Sequence, residues 1–502
     1  AQVCQSEPHC SIPAAMMMAM AAPCNVDNFK QNLLQGYAPA AAAITDAGVF
    51  AEHFYKLNPC ESTGTWSTGK ELEISTTVGV GRSWESGEEE LWLALGLHSC
   101  HDGLNERRPL QVVLVVDRSG SMGCCFDSSP GSHDPREQQQ SRATKMSLAN
   151  EAVCQILRKL DKEESVGIVL FDDRVSVLQP LRQVGTLDRD VLAEQVMETG
   201  ARGGTNMVKG LTAGLEQLRE ASPAMERRVI FLTDAQPNQG GGQQTLLELT
   251  SGAAKQGIYT TFIGIGLDFD SGLTDAIAKV PGGNYFSVHS AKQVQQILVD
   301  DFNYFVTPLI FDVEVSLDDP GFEIACTRGS PDADLTTGTA LRMRTLCASA
   351  NEPRGVKGGL VLAKLRRTGL AGWQGGLQIK YKTHDGTTVE EAQEISLSER
   401  FAALGEEGFE ALDVRKGVAL CSFVDAATAY LEDRADDGAR GRLEAFKGWM
   451  EAEAKAVGDG KLMDELDNVK RLLAVQGDAP GRGRGRGGYG RMMGMRPMAP
   501  LL

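Results

Sequence analysis

The chain has 502 residues, too many for one ordinary hydrophobic core, so two or three domains are expected. Its 42% hydrophobic and 23% charged residues are typical of a globular protein in water. The formal net charge of −17 disfavours nucleic acid and anionic membranes as partners and favours cations or basic proteins. No apolar run approaches the roughly 20 residues of a membrane span.

Residues 1–64 are expected to form an irregular N-terminal arm with one helical piece near "NVDNFKQNLLQGY". Four cysteines cluster in this arm and could form disulfides, which would indicate an oxidising compartment. They are Cys4, Cys10, Cys24 and Cys60. The apolar stretch 11–23 has two interpretations, the remnant of a targeting segment or a plain Ala/Met-rich arm.

Two stretches have the apolar patterns of β-strands. In residues 65–109, "ELEISTTVGV" and "ELWLALGLHS" alternate or run apolar for eight to ten residues. Residues 308–400 return to strands such as "LIFDVEVSL". We expect these stretches to be the two parts of one β-sandwich that accommodates the domain between them. Separate small β units are the alternative.

Residues 110–307 alternate short apolar runs with amphipathic helical patterns. The runs are "VVLVVD", "VGIVLFD", "RVIFLTD" and "IYTTFIGIG". In "KMSLANEAVCQILRKL", apolar residues recur at helical spacing on one face. Strands buried on both faces that alternate with such helices predict an α/β fold with a doubly wound, Rossmann-like parallel sheet.

The composition changes twice toward the end of the chain. Residues 401–476 are rich in Ala, Leu and Glu and predict helices, interrupted near "EDRADDGARG". Residues 477–502 form an Arg/Gly/Met-rich tail that has no means of packing, so disorder is expected there.

Oxygen-bearing side chains follow three separate segments of the predicted sheet. Asp117 ends the first strand, Ser119 and Ser121 follow at every second position, and Asp234 ends "RVIFLTD". Thr205 lies in the glycine-flanked loop "RGGTN". Open parallel sheets bind ligands beyond the carboxyl ends of their strands, so these groups are expected at one edge.

This set of oxygens predicts a site for a hard divalent cation, Mg²⁺ or else Ca²⁺ or Mn²⁺. Two carboxylates and three hydroxyls cannot saturate such an ion. Water or a partner's carboxylate must therefore complete the coordination shell. In "FDD", Asp172 and Asp173 are interpreted as polar loop residues, with a role near the metal as the alternative.

The segment Asp117-Arg-Ser119-Gly-Ser121, with Thr205 and Asp234, resembles the metal-ion-dependent adhesion site of von Willebrand factor type A domains. The resemblance covers about 110–307. It implies direct ligation by Ser119, Ser121 and Thr205, with Asp117 and Asp234 acting largely through coordinated water. It also implies that an Asp or Glu of a protein ligand fills the open position.

The architecture around this region more loosely resembles bacterial envelope proteins that carry a single such domain. The polar insert 124–142 departs from the family pattern directly after the site, so it could crowd or gate the metal.

No motif points to an enzyme. "GTWSTGKE" at 64–71 imitates a phosphate-binding loop, but Glu71 stands where a Ser or Thr must bind Mg²⁺. An aspartyl-phosphate mechanism needs a second acid two residues after Asp117, where Ser119 stands.

We therefore expect a non-catalytic, metal-dependent protein-binding module that is secreted, on the cell surface or envelope, or in an organelle lumen. A cytoplasmic scaffold that contacts RNA through the Arg/Gly tail is the alternative. The sequence names neither the ligand nor the oligomeric state.

Overall fold

The structure is a computed structural model, which describes most of the chain between residues 26 and 478. The described residues are 16–18, 26–34, 36–56, 71–98, 108–125, 143–235, 241–266, 273, 276–277, 279–288, 294–330, 332–348, 351–352, 355–369, 375–434, 436–475 and 477–478. The four N-terminal cysteines, most of the 124–142 insert and nearly all of the 477–502 tail lie outside these ranges. The expectations for them stay predictions.

The first part of the chain forms short elements and one long antiparallel strand pair. They are β1 Met16–Met18, α1 Val26–Leu34, β2 Tyr37–Ala38, α2 Asp46–Phe50, β3 Phe54–Tyr55, β4 Glu73–Arg82 and β5 Glu89–His98. Residues 26–55 are more ordered than the irregular arm that we expected. The reason is burial: Phe29 and Phe50 belong to one apolar core with helices near the C-terminus.

The middle of the chain alternates strands with helices. The elements are β6 Leu110–Asp117, α3 Lys145–Lys159, β7 Ser165–Phe171, β8 Val175–Gln183, α4 Arg189–Met197, α5 Met207–Arg219, β9 Glu226–Thr233, α6 Gly241–Ala254, β10 Ile258–Ile265, β11 Asn284–Val288 and α7 Phe302–Phe305. The sheet order is β11-β10-β9-β6-β7-β8. Its strand pairs are parallel except for the antiparallel edge pair β7–β8. The predicted parallel sheet is confirmed.

Both faces of this sheet are covered. On β6, Val112 and Leu114 belong to an apolar cluster with helix α3, whereas Val113 and Val115 belong to a second cluster with α5. Successive strand residues point to opposite faces, so every residue of β6 is buried. This double burial explains why the strand reads as an unbroken apolar run.

The rest of the chain returns to antiparallel strands and ends in helices. The elements are β12 Pro308–Asp318, β13 Phe322–Arg328, β14 Asp332–Asp334, β15 Thr339–Ala348, β16 Asn351–Glu352, β17 Gly355–Lys357, β18 Leu360–Arg367, β19 Gly375–Lys382, β20 Thr388–Ile395, α8 Leu397–Leu404, β21 Gly408–Phe409, α9 Leu412–Glu432, α10 Asp437–Val457, α11 Gly460–Ala474 and β22 Gly477–Asp478. None of the helices within the described ranges is both long and apolar enough to cross a membrane.

Strands from both sides of the parallel-sheet domain pack face to face. One sheet has the order β13-β18-β5-β4-β21, and the other has the order β1-β15-β12-β19-β20. A single core joins them, with Leu93 and Val361 from the first sheet and Val313 and Leu377 from the second. Because β4 and β5 precede the parallel sheet and β12 follows it, the parallel-sheet domain is inserted between these strands. Helices α9–α11 cover the outer face of the first sheet.

The amino ends of the parallel strands contact the second of these sheets. The Gly282 N–H donates to the Thr345 hydroxyl at 2.6 Å, and His384 Nε2 lies 3.1 Å from Glu226 Oε2. The rings of Tyr259 and Phe311 are 5.4 Å apart. The carboxyl ends of the strands, where the predicted site lies, are therefore at the opposite end of the domain.

Candidate metal-binding site

The two aspartates of the predicted site come from neighbouring strands. Asp117 is the last residue of β6, and Asp234 directly follows β9. These strands pair in parallel, with Val116 opposite Leu232. Both carboxylates consequently lie at the same sheet edge, as expected from the sequence.

The carboxylate of Asp117 is fully buried and held by two donors. Its Oδ1 accepts the backbone N–H of Ser119 at 2.7 Å, and its Oδ2 accepts the hydroxyl of Thr233 at 2.6 Å. Burial raises the pKa of Asp117, while the hydrogen bonds from Thr233 and Ser119 work against that rise. The two donors fix the orientation of a carboxylate that is costly to bury.

The two serines link Asp117 to Asp234. Ser119 Oγ lies 3.1 Å from Ser121 Oγ, and the Ser121 hydroxyl donates to Asp234 Oδ1 at 2.7 Å. The second oxygen of Asp234, Oδ2, accepts a hydrogen bond from Lys145 Nζ at 2.9 Å. Four of the five predicted residues thus form one continuous hydrogen-bonded row.

The loop that carries Thr205 lies against the same turn. The Gly120 N–H donates to the Gly203 carbonyl at 3.1 Å. Gly203 has a φ of +71°, and a Cβ there would lie 2.5 Å from Asp173 Oδ1, so this close approach requires glycine. The Thr205 side chain is exposed. Thr205 takes no part in the hydrogen bonds that form the row.

Asp172 contributes more than the polar loop residue that we expected. It is 3% exposed, its Oδ2 lies 3.0 Å from Arg202 Nε and 3.8 Å from Arg118 Nε, and its carbonyl accepts the Asn206 N–H at 2.8 Å. The Arg174 backbone N–H, and then Arg202, lower the pKa of Asp172. This ionised carboxylate connects the loop after β6, which carries Arg118, with the loop that carries Arg202. Its position directly after β7 was the sequence signal that could have indicated this role.

Lys145 and Thr233 are two further residues that the motif did not include. Thr233 immediately precedes Asp234, so its contact with Asp117 follows from the pairing of β6 with β9. Lys145 lies beyond the insert at the start of α3. No spacing rule connects it with Asp234, which is 89 positions away.

The donor set fits a hard cation. The row offers carboxylate and hydroxyl oxygens and no nitrogen or sulfur, the chemistry that Mg²⁺ and Ca²⁺ select. Among the described residues, no group of three or more His, Cys, Asp or Glu side chains is placed to hold a metal ion. A cation at this edge would therefore depend on the hydroxyls as well as on the two carboxylates.

A cavity of about 420 Å³ lies elsewhere, between the first antiparallel sheet and helices α9 and α10. Trp84 and Trp92 line it, and its cations have acidic partners. Lys364 Nζ is 2.7 Å from Glu90, and Arg328 lies 3.3 Å from Asp46. None of the five predicted site residues lines this cavity.

Known proteins resemble the middle of the chain. Residues 111–299 match the family model described as the von Willebrand factor type A domain. An uncharacterized protein of Synechocystis sp. is 23% identical over 192 residues, which are 38% of this chain and 40% of that protein. The inter-alpha-trypsin inhibitor heavy chain H1 of Sus scrofa is 26% identical over 212 residues, 41% of this chain and 21% of that protein. The chain thus spans less than half the length of these two relatives.

Solved structures resemble a larger share of the chain at lower identity. A von Willebrand factor type A protein from Catenulispora acidiphila aligns over 81% of this chain and 91% of its own, with a TM-score of 0.46 and 17% identity. The ArnB paralog VWA2 from Sulfolobus acidocaldarius aligns over 81% and 97%, with a TM-score of 0.40 and 12% identity. The family-model match, together with the parallel sheet, identifies residues 111–299 as a von Willebrand factor type A domain.

Proposed function

We propose that this domain is a non-catalytic, protein-binding module that uses a divalent cation to capture an acidic side chain of its partner. The cation, Mg²⁺ or else Ca²⁺ or Mn²⁺, would be held by the five oxygen-bearing residues at the sheet edge. They are Asp117, Ser119, Ser121, Thr205 and Asp234. The observation that carries the proposal is the continuous row of hydrogen bonds from Asp117 through both serines to Asp234.

The row is suited to a cation because its oxygens are already gathered. Asp117 and Asp234 are nearly or fully buried, and each of their four oxygens accepts a hydrogen bond. Side chains held in this way lose little further conformational freedom when an ion binds. Gathering two carboxylates at one edge also costs repulsion that a divalent ion would relieve.

The proposed partner group follows from the number of protein ligands. Two carboxylates and three hydroxyls leave a divalent ion short of a full shell, so one position is open to water or to a carboxylate. Desolvated, charge-assisted contacts of this kind can dominate a small interface. Coordination of a partner carboxylate requires no general base. We therefore propose that the domain binds a partner rather than catalyses a reaction.

We place the protein outside the cytosol, on an envelope or cell surface, or in an organelle lumen. This proposal rests on the clustered N-terminal cysteines, which would pair in an oxidising compartment. The tail on which an RNA-binding scaffold would depend lies almost entirely outside the described residues, and no observation favours that alternative.

The test is a Mn²⁺ titration of the purified protein by calorimetry, followed by partner capture with and without EDTA. We expect one site, and we expect the double change Ser119→Ala with Ser121→Ala to weaken Mn²⁺ binding by at least about 100-fold, since two direct ligands are lost. Ser176→Ala, at an exposed position on edge strand β8, is the matched control and should bind normally.

Unchanged Mn²⁺ affinity in the double variant would move the metal away from this row. Partner capture that survives EDTA, or that is lost only when residues 478–502 are deleted, would contradict the metal-dependent mechanism and support the scaffold alternative.

A further inference from the structure

Lys145 occupies a place where a cation is not favoured by its own helix. It is the first residue of α3, next to the N-cap Thr144, and its backbone N–H donates to the Cys124 carbonyl at 3.1 Å. The positive end of the helix dipole disfavours an ammonium group at this position. The favourable interaction comes instead from Asp234, whose Oδ2 lies 2.9 Å from Lys145 Nζ.

The contact is partly shielded from water. The Lys145 side chain is 19% exposed, and the Asp234 side chain is 0% exposed. The other oxygen of Asp234 accepts the Ser121 hydroxyl. Lys145 can therefore stay on Oδ2 while Oδ1 and the serines face an ion, directly or through water, so ammonium and metal need not exclude each other.

The charge of the site depends on this lysine. Asp117 and Asp234 contribute two negative charges, so a bound divalent cation alone would leave the site neutral. With the ammonium of Lys145 included, the loaded site carries one net positive charge. The ammonium group repels the metal as it enters. The net positive charge of the loaded site then attracts an anionic group.

We infer that Lys145 neutralises Asp234. It thereby lowers the affinity of the site for the metal and raises the affinity of the loaded site for the carboxylate of a partner. The inference rests on the proposed function, because it concerns the same cation. A second feature points in the same direction: Arg118 and Arg202 share the single carboxylate of Asp172. Asp173 at the same rim lies 3.8 Å from Arg174, so three cations face two carboxylates there, and the rim also favours an acidic ligand.

The experiment uses Mn²⁺ as the metal and acetate as the carboxylate probe, with the full chain and without a protein partner. Mn²⁺ affinity is measured by calorimetry, and acetate binding is measured by the loss of Mn²⁺-bound water in proton relaxation at saturating Mn²⁺. Lys145→Met removes the charge at similar length, and Lys145→Arg keeps it. Lys162→Met is the control for net charge, because Lys162 is exposed and precedes β7 at the opposite end of the sheet.

We expect Lys145→Met to bind Mn²⁺ about tenfold more tightly and acetate about tenfold more weakly than the wild type. Lys145→Arg and Lys162→Met should stay within about twofold of the wild type in both measurements. Circular dichroism and the melting temperature of each variant establish that it is folded.

Tighter Mn²⁺ binding with unchanged acetate binding would show that Lys145 leaves Asp234 when the metal arrives, and it would overturn the inference. Weaker Mn²⁺ binding in folded Lys145→Met would overturn it too, since Lys145 would then merely position Asp234. A wild-type protein that binds no Mn²⁺ would instead overturn the proposed function, on which this inference depends.

Discussion

The two ends of the parallel sheet both bury charged side chains, but the cluster around Glu226 at the amino end and the row from Asp117 to Asp234 at the carboxyl end differ in their contacts. At the amino end, fully buried Arg228 donates to Thr261 and to the Gly282 carbonyl at 3.0 and 3.2 Å. Its Nη2 lies 3.7 Å from Glu226, which also contacts His384 of the neighbouring sheet. The contact with His384 joins the inserted domain to the antiparallel strands.

At the carboxyl end the balance is different. Asp117 and Asp234 gather within one hydrogen-bonded row, and Lys145 is the cation that contacts this row in the described part of the chain. The cluster of Arg228, Glu226 and His384, called the joint below, therefore links the inserted domain to the antiparallel strands, whereas the row is the basis of the proposed cation site. Burial of charge alone does not distinguish these two clusters. Within the row, however, two carboxylates share one contacting cation among the described residues, Lys145.

The largest expected effect concerns the joint. Arg228→Met should lower the free energy of unfolding by about 3–5 kcal/mol, because it removes the guanidinium that lies beside buried Glu226. Urea unfolding measures this loss. Mn²⁺ affinity should stay within twofold, because the joint and the site lie at opposite ends of the sheet.

Arg227→Met is the control for this change, since Arg227 is only partly buried on the same strand. It should cost less than about 1 kcal/mol. A parallel loss of Mn²⁺ affinity in Arg228→Met would show that the two ends are coupled, and the comparison drawn above would then fail.

A third buried cluster, around Glu465, tests whether buried carboxylates of this chain are stabilised by neighbouring cations. Glu465 is 1% exposed, with Lys30 Nζ at 2.8 Å and His53 Nε2 at 3.5 Å. Burial alone would raise the pKa of Glu465, but the interactions with His53 and Lys30 lower it to about 2. The ionised form therefore stabilises the fold above the ordinary pKa of about 4.5, and this stabilisation is lost as the pH falls toward 2.

Glu465→Gln should accordingly cost about 3 kcal/mol at pH 7. The difference from the wild type should narrow as the pH falls from about 4.5 to 2. Urea unfolding at a series of pH values follows it. Glu451→Gln, at an exposed position of α10, serves as the control and should have little effect. A constant difference across the pH range would mean that the charge of Glu465 is not what stabilises this cluster.

The smallest expected effect concerns Thr205, the proposed ligand outside the hydrogen-bonded row. Thr205→Val should weaken Mn²⁺ binding about tenfold, because one neutral ligand is replaced by water. The free energy of unfolding should change by less than about 0.5 kcal/mol, as for an exposed position.

Thr212→Val on α5 is the matched control for Thr205→Val. The Thr212 hydroxyl donates to the Val208 carbonyl within its own helix, so this change should leave Mn²⁺ affinity unaltered. Equal Mn²⁺ affinity in Thr205→Val and the wild type would remove Thr205 from the proposed ligand set and leave a site built from the row alone.

The parallel sheet could be predicted because its strands are buried on both faces and read as apolar runs, as on β6. The meeting of Asp117 with Asp234 followed from one rule, that parallel strands end at a common edge. The role of Lys145 could not be predicted, because its long side chain reaches Asp234 across 89 positions that no sequence spacing relates. The regular structure of residues 46–55 was not predicted for a related reason: Phe50 is buried against helices that lie far along the chain.

The contact between α1 and α11 has a consequence for synthesis on the ribosome. Lys30 and Glu465 are 435 positions apart, and at ordinary translation rates roughly 20–90 s separate their appearance. During that time Phe29 and Leu33, both buried in the finished molecule, lack helices α9–α11, which supply much of their apolar core. The inserted domain needs no such delay, since strands β6 to β11 pair only among themselves within the described residues. The nascent chain would thus complete the sheet edge that carries the proposed cation site while α1 still lacks part of its packing surface.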